Sequence, residues 1–495
     1  MGRVATETFH GMKWMLLQKC TLQPLQLVFS MFLARLVTPE EIGILGLTAI
    51  FFAIAGQLAS CGFGSALIRK QDRTEQDINT MFWFNVGMSF LLGGVIFLCA
   101  PLFVDFFNQP ALLWLTRASA IMMALNSLAS VHFTLYSARR DFKTPALVNT
   151  CVAILSMPLC IGLAFAGWGS WAIMTQGIFS GITTLIVIWI ISPWKPKFEF
   201  SKQSFREMFG YGSKLALSGL LDTGFMNVRS LIIGKFYTPA DLAYYDRGQH
   251  LSAVFPTTVC GMLGQVTFPI LATLQDQPER LRQIYRKYLR LFTLTITWLC
   301  LCLAAYAKPT IAVMYGTQWE AAVIFCQLTC LTYSIYHLQV INLNLLQVLG
   351  RSDLFLRLEI IKKILTFSVM ISCATISVVA MCIGATICSY ICLYINSYFT
   401  KGLINLSIKE QLMDYTPLFL LALVTTWGPA ILITQFPVLP IFQLILGGLV
   451  SFSLYFFTLY FLKTQALNDT LLIVQGRLPG RKLKNAISFF IRDNI

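Results

Sequence analysis

Two runs of polar residues interrupt otherwise apolar sequence. Lys19, Gln23, Gln26 and Ser30 fall at i, i+4, i+7 and i+11, and Ser218, Asp222 and Arg229 fall at i, i+4 and i+11. On a helix each set lines one face. Polar side chains in a lipid-embedded helix are costly and turn toward protein or a water-filled cavity. The chemistry offered is ion binding. Lys19 and Arg229 suit charge-assisted hydrogen bonds to a phosphate. Gln23 and Gln26 add neutral hydrogen-bonding groups, and Asp222 is a candidate for coupling a proton or a sodium ion. Arg117 and Arg247 are further candidate cations. Additional polar groups are His132, Gln249 and Gln265 and, on one later segment, His337, Asn344 and Gln347. Apart from Asp222 and Asp246, the candidate intramembrane charges are cationic, which favours an anionic ligand.

Each residue also has a structural reading. Lys19 is near enough to a helix end to snorkel to the interface. Asp222 and Arg229 are separated by about 10 Å along a helix, so each can pair locally instead. Arg117 and Arg247 can sit solvated at the outer interface. His132, His250 and His337 are isolated, and a structural hydrogen bond suits each. The polar residues near His337 can be glue between helices. Pro24 predicts a kink in the first polar helix, which fits a gate but also occurs without one.

The elements that must hold these residues follow from composition. The chain has 495 residues, of which 56% are hydrophobic and 12% charged; 37 Lys and Arg against 22 Asp and Glu give a formal charge of +15. Soluble domains carry about 25% charged residues. A water-soluble globule is excluded, and so is a disordered chain. The basic residues lie between apolar runs rather than in one patch, so no nucleic-acid partner is implied. In lipid the backbone must satisfy its own hydrogen bonds, and runs of about 20 apolar residues select helices. Such runs predict spans near 12–35, 41–64, 81–104, 112–137, 146–166, 170–192, 209–235, 241–272, 289–315, 319–348, 358–379, 381–401, 415–435 and 439–463.

Fourteen spans put both termini on one side. Of the lysines and arginines, only Lys19, Arg35, Arg117, Arg229, Lys235, Arg247 and Lys308 lie away from the termini and the even-to-odd loops. By the positive-inside rule both termini are expected in the cytoplasm. The opposite loops, such as 166–170 and 435–440, are short and nearly uncharged. No cleavable signal is expected. The 14 cysteines fall almost entirely in apolar runs without metal-ligand spacing, which reads as membrane core rather than disulfides or ligands.

The chain also echoes itself at an offset of about 200. FLARLVTPEEI from Phe32 matches IIGKFYTPADL from Ile232, KQDRTEQDI from Lys70 matches LQDQPERLR from Leu274, and ARRDF from Ala138 matches LGRSD from Leu349. A six-helix repeat keeps both halves in one orientation, related by an axis along the membrane normal. The expected organisation is an N-terminal lobe over 1–200, a C-terminal lobe over 201–405, two added helices over 406–463, and a basic tail over 464–495 on the anionic inner leaflet. The bland alternative is that Thr-Pro-acid is a common helix start.

No P-loop, HExxH, GxSxG or paired catalytic carboxylates occur, which leaves transport rather than catalysis. The sequence resembles the polysaccharide transporter (Wzx-type flippase) family of the multidrug/oligosaccharidyl-lipid/polysaccharide exporter superfamily. The resemblance covers nearly the whole chain. It is carried by GMKW at Gly11, the run from Phe32, SCGFGSALIRK from Ser60, and the stretch from Thr238 to Lys287. That stretch includes Tyr244-Tyr245-Asp246-Arg247, with Asp246 where the family has Asn, and Phe268-Pro269.

The resemblance implies an all-α fold of fourteen transmembrane helices, two pseudo-symmetric six-helix lobes in a V plus two C-terminal helices. It implies export of an undecaprenyl-diphosphate-linked oligosaccharide across the bacterial inner membrane for O-antigen, capsule or exopolysaccharide assembly. Polymerase and glycosyltransferases of the same pathway would be partners. No cofactor is implied beyond proton or sodium coupling. Three rival readings share some of these features: a lipid II flippase, a cation-coupled drug exporter of the MATE type, and a membrane glycan polymerase or ligase.

Overall fold

In a computed structural model of the protein, residues 2–70 and 72–469 are described. Among them every regular element is helical, as expected for a chain that must bond its own backbone in lipid. The helices are α1 (Gly2–Leu36), α2 (Pro39–Ser60), α3 (Phe63–Arg69), α4 (Glu75–Phe107), α5 (Leu112–Ala138), α6 (Lys143–Phe165), α7 (Ser170–Ile191), α8 (Lys202–Phe236), α9 (Pro239–Ala272) and α10 (Pro278–Phe292). They continue with α11 (Trp298–Ala305), α12 (Ala307–Met314), α13 (Ala322–Ser334), α14 (Tyr336–Val348), α15 (Ser352–Ala374), α16 (Val378–Tyr398), α17 (Thr400–Ile404), α18 (Ile408–Ile433) and α19 (Pro440–Phe461). The chain divides into two compact units, Met1–Ala243 and Tyr244–Ile495, the division falling inside α9.

Ten stretches of the described residues are long and apolar enough to cross a membrane. The other four expected spans fall on α1, α8, α9 and α15, so the count of fourteen rests on these as well. Two of them carry the reason in their sequence: Asp222, Asn227 and Arg229 interrupt α8, and Arg357, Glu359, Lys362 and Lys363 interrupt α15.

Three expected single spans are broken. The span from 41 stops at Ser60, where Cys61 and Gly62 take positive φ before α3 begins. Gly62 is required there: a Cβ would lie 2.5 Å from the Gly212 carbonyl oxygen of α8. The span from 289 contains one wide π-helical turn, Thr293–Thr297. In that turn Thr293 Oγ1 lies 2.8 Å from His337 Nε2, and Thr297 donates to the Ser334 carbonyl at 3.1 Å. The same segment breaks again at Tyr306. The span from 319 bends at Ile335, between α13 and α14.

Both matched Thr-Pro motifs fold identically. Thr38 and Glu41 form a capping box ahead of α2, with Thr38 N donating to Glu41 Oε2 at 3.0 Å. Thr238 and Asp241 repeat it ahead of α9, with Thr238 N to Asp241 Oδ2 at 3.1 Å and Asp241 N to Thr238 Oγ1 at 3.1 Å. Each proline occupies the first helical turn, where its missing N–H is harmless. The third echo is looser: Arg140 (φ 59) before α6 and Gly350 (φ 68) before α15 are both left-handed but stand one position apart in the match.

In the first unit α1 packs along α6, and α8 along α2, α3 and α4. Its core gathers Phe63, Leu67, Met81, Phe82 and Val131. In the second unit Leu281, Tyr285, Leu289, Ile335 and Leu345 form the corresponding core. Large apolar side chains such as Leu98, Ile190, Leu102 and Leu449 stand exposed. That is the inverse of a soluble surface and the expected one for a lipid-facing wall.

Candidate functional site

The two polar stripes sit on the helices expected. On α1, Gln23 and Gln26 are exposed and Ser30 is half-buried; the side chain of Lys19 lies outside the described residues. On α8, Ser218 and Asp222 are exposed and Arg229 is half-buried. Among the described side chains of the two stripes, none is fully buried. Pro24 interrupts α1 beside Gln23.

The remaining candidates separate by environment. Arg117, near the start of α5, has its guanidinium 5.0 Å from the ring centres of both Phe97 and Trp114. Arg247 on α9 lies 5.7 Å from the rings of Tyr315 and Trp319. Both cations are thus held in aromatic clefts, where cation–π attraction adds about 1 kcal/mol or more. His337 is fully buried, its Nε2 on Thr293. His132 is equally buried, with Nδ1 2.9 Å from Ser192 Oγ and its ring beside Trp189 and Trp194. These two histidines fit the structural reading. Asn344 is half-buried, with no hydrogen-bond partner for Nδ2 among the described residues, and Gln347 is exposed. Gln249 is half-buried, and the Gln265 side chain lies outside the described residues.

The basic loops converge within each unit. In the first, Lys70 Nζ lies 3.0 Å from Asp77 and 3.1 Å from Glu207, Lys197 pairs with Glu75 at 2.6 Å, and Arg73 donates to the Ala138 carbonyl. In the second, Arg282 pairs with Glu410 at 2.6 Å, Arg286 with Asp414 at 2.7 Å, and Arg290 with Asp414 at 3.0 Å and Asp469 at 3.3 Å. Beside the next basic loop, the Arg351 guanidinium holds the Asp353 carboxyl down to about 2.

Sequence reasoning missed a buried polar network in the second unit. Tyr285 donates to Asn342 Oδ1 at 2.5 Å, and Asn342 Nδ2 reaches Ser397 at 3.2 Å and Gln411 at 3.4 Å. Its only signal in the sequence is an asparagine within an apolar run.

Residues 32–324 match the model of a family described as polysaccharide biosynthesis protein. The match covers more than half of the chain. The chain belongs to this family. The resemblance read from the sequence is borne out.

This family member is 22% identical over 85% of its length to the lipopolysaccharide biosynthesis protein WzxC of Escherichia coli (strain K12), covering 86% of that protein. It is 23% identical over 62% of its length to the succinoglycan biosynthesis transport protein ExoT of Rhizobium meliloti (strain 1021), covering 63% of that protein. Its fold is shared with the lipid II flippase MurJ in an inward closed conformation, at a TM-score of 0.68, 12% identity, 90% of this chain and 98% of the other. It is also shared with an inward-facing multidrug resistance MATE family transporter, at a TM-score of 0.56, 16% identity, 80% of this chain and 94% of the other. The family member is thus a multi-pass membrane protein with a transporter fold.

Proposed function

We propose that this family member is a flippase that moves an undecaprenyl-diphosphate-linked oligosaccharide from the cytoplasmic to the periplasmic leaflet by alternating access. The observation that carries this reading is the exposure of polar stripes on α1 and α8 in a protein whose outer wall is otherwise apolar. Glutamine and aspartate gain nothing from lipid, so both stripes call for water. In this reading they line an aqueous path between two six-helix repeats, 1–200 and 201–405. The glycan and diphosphate travel in the path while the polyprenyl tail stays in lipid. A bare diphosphate in hydrocarbon would cost at least several kcal/mol per charge. Arg229 and Lys19, supported by Arg117 and Arg247, neutralise it instead. Asp222 couples a proton or sodium ion or orients Arg229.

The relatives' names favour polysaccharide assembly, with both termini in the cytoplasm of the bacterial cell and the pathway's polymerase and glycosyltransferases downstream and upstream. The likeness to MurJ keeps lipid II as a second substrate reading, because the folds agree. A MATE-type exporter would need acids lining the path, and Asp222 is the one acid on either stripe.

The test is complementation of a strain lacking the gene. The wild-type protein restores surface polysaccharide. Arg229→Ala, present in the membrane at wild-type level, lowers it by at least tenfold, and Arg229→Lys recovers part. Full export by Arg229→Ala would remove Arg229 from the role. Rescue of a strain depleted of its lipid II flippase would favour the second reading.

A further inference from the structure

The first unit holds a partly open cavity of ≈ 330 Å³ between α2, α4 and α5. Its polar lining carries no charge. Asn85, Ser89, Asn126, Ser127, Ser130 and Thr134 reach it, and Phe52, Met81, Met122 and Met123 form its apolar wall. The hydroxyl hydrogens along α5 are already used. Ser127 donates to the Ala124 carbonyl at 2.7 Å, Ser130 to Ser127 at 2.9 Å, and Thr134 to Ser130 at 3.2 Å. Their oxygens are left as acceptors. Asn85 is 5% exposed, and its Oδ1 has no hydrogen-bond partner among the described residues. A buried amide oxygen without a partner is costly, which favours any turn of the Asn85 side chain that meets a ligand's donor at the cavity wall.

The lining selects among ligands. A diphosphate brings concentrated negative charge, and this wall carries no cation to neutralise it. An alkali cation needs a close cage of several oxygens, which a half-apolar space of this size does not provide. A sugar ring brings hydroxyl donors around its edge and C–H faces that pack on Phe52 and the methionines. We propose that this cavity is a subsite for one uncharged sugar residue of the transported glycan. The proposal rests on the flippase reading above and adds where the glycan, as distinct from the diphosphate, is gripped.

Two substitutions test it in the full-length protein. Asn85→Leu replaces an unpartnered polar group by an apolar one of similar size, a change expected to leave folding intact. Gly56→Leu fills the cavity from α2; Gly56 lines it, and a Cβ there meets no atom within 4 Å. Each variant is expected at wild-type abundance and thermal midpoint but with surface polysaccharide reduced at least tenfold. The soluble oligosaccharide freed by mild acid from the host's lipid-linked pool should raise the thermal midpoint of the purified wild type and of neither variant. Inorganic pyrophosphate should not distinguish the wild type from Asn85→Leu. Normal export by both stable variants would overturn the subsite while leaving the transport reading in place. Surface polysaccharide persisting in the deletion strain would overturn the transport reading itself. A midpoint rise on replacing choline chloride with sodium chloride, lost in Asn85→Leu, would reassign the cavity to a cation and overturn the sugar.

Discussion

Asp414 is one carboxylate serving two guanidinium groups, Arg286 at 2.7 Å and Arg290 at 3.0 Å, with its own side chain 8% exposed. Removing it takes the carboxylate from Arg286 and leaves Arg290 with Asp469 alone, in a partly buried position. Asp414→Ala is expected to destabilise the protein by about 2 kcal/mol, discounted from the fully buried case because both arginines keep some solvent. A thermal or denaturant midpoint in detergent that does not fall would contradict this. Gly43 makes a different demand. A Cβ there would collide with the Pro239 backbone, and backbone cannot swing aside as a side chain can. Gly43→Ala is expected to cost about 1–3 kcal/mol, read in the same midpoint assay.

At the scale of elements, α10 shows how one sequence period serves two purposes. Leu281, Tyr285 and Leu289 recur every fourth residue and are fully buried, while Arg282, Arg286 and Arg290 recur on the adjacent line and meet the acids of α18 and the segment after α19. Tyr285→Phe keeps the packing but removes the donor to Asn342. It should cost about 1–2 kcal/mol, whereas a change at exposed Gln347 should cost almost nothing. The paired capping boxes give a second element-scale test. Thr38→Ala and Thr238→Ala should each lower stability by about 1 kcal/mol, and the serine variants should recover most of it. Unequal costs would mean that the matched helix starts differ in how much the rest of the protein depends on them.

At the scale of the whole molecule, the membrane imposes a charge asymmetry. Lys70, Arg73 and Lys197 tie their loops to α8, α5 and α4 in the first unit, and Arg282 and Arg290 tie α10 to α18 in the second. In the proposed orientation, which follows the positive-inside rule, all of them face the cytoplasm. Single cysteines at Asp72, Arg139 and Gln277, in a background stripped of native cysteines, should be shielded from an impermeant maleimide in intact cells. Cysteines at Trp168 and Pro437 should label. The reverse pattern would invert the proposed direction of transport.

How much of this was legible beforehand divides along a physical line. Composition and run length determined the helical membrane class, ten of the spans and the repeated Thr-Pro helix starts, because lipid acts on each segment locally and each capping box is closed within four residues. The polar faces of α1 and α8 were legible for the same reason, since spacing alone puts residues on one face. Whether a polar residue inside an apolar helix is satisfied or waiting for a ligand was not. Asn85 and Asn342 look alike in the sequence, each an asparagine within a hydrophobic run. Packing gave Asn342 partners from three other helices and left the oxygen of Asn85, a residue at a cavity wall, without one among the described residues. That difference lies in residues far apart along the chain, and only the tertiary structure brings them together or keeps them apart.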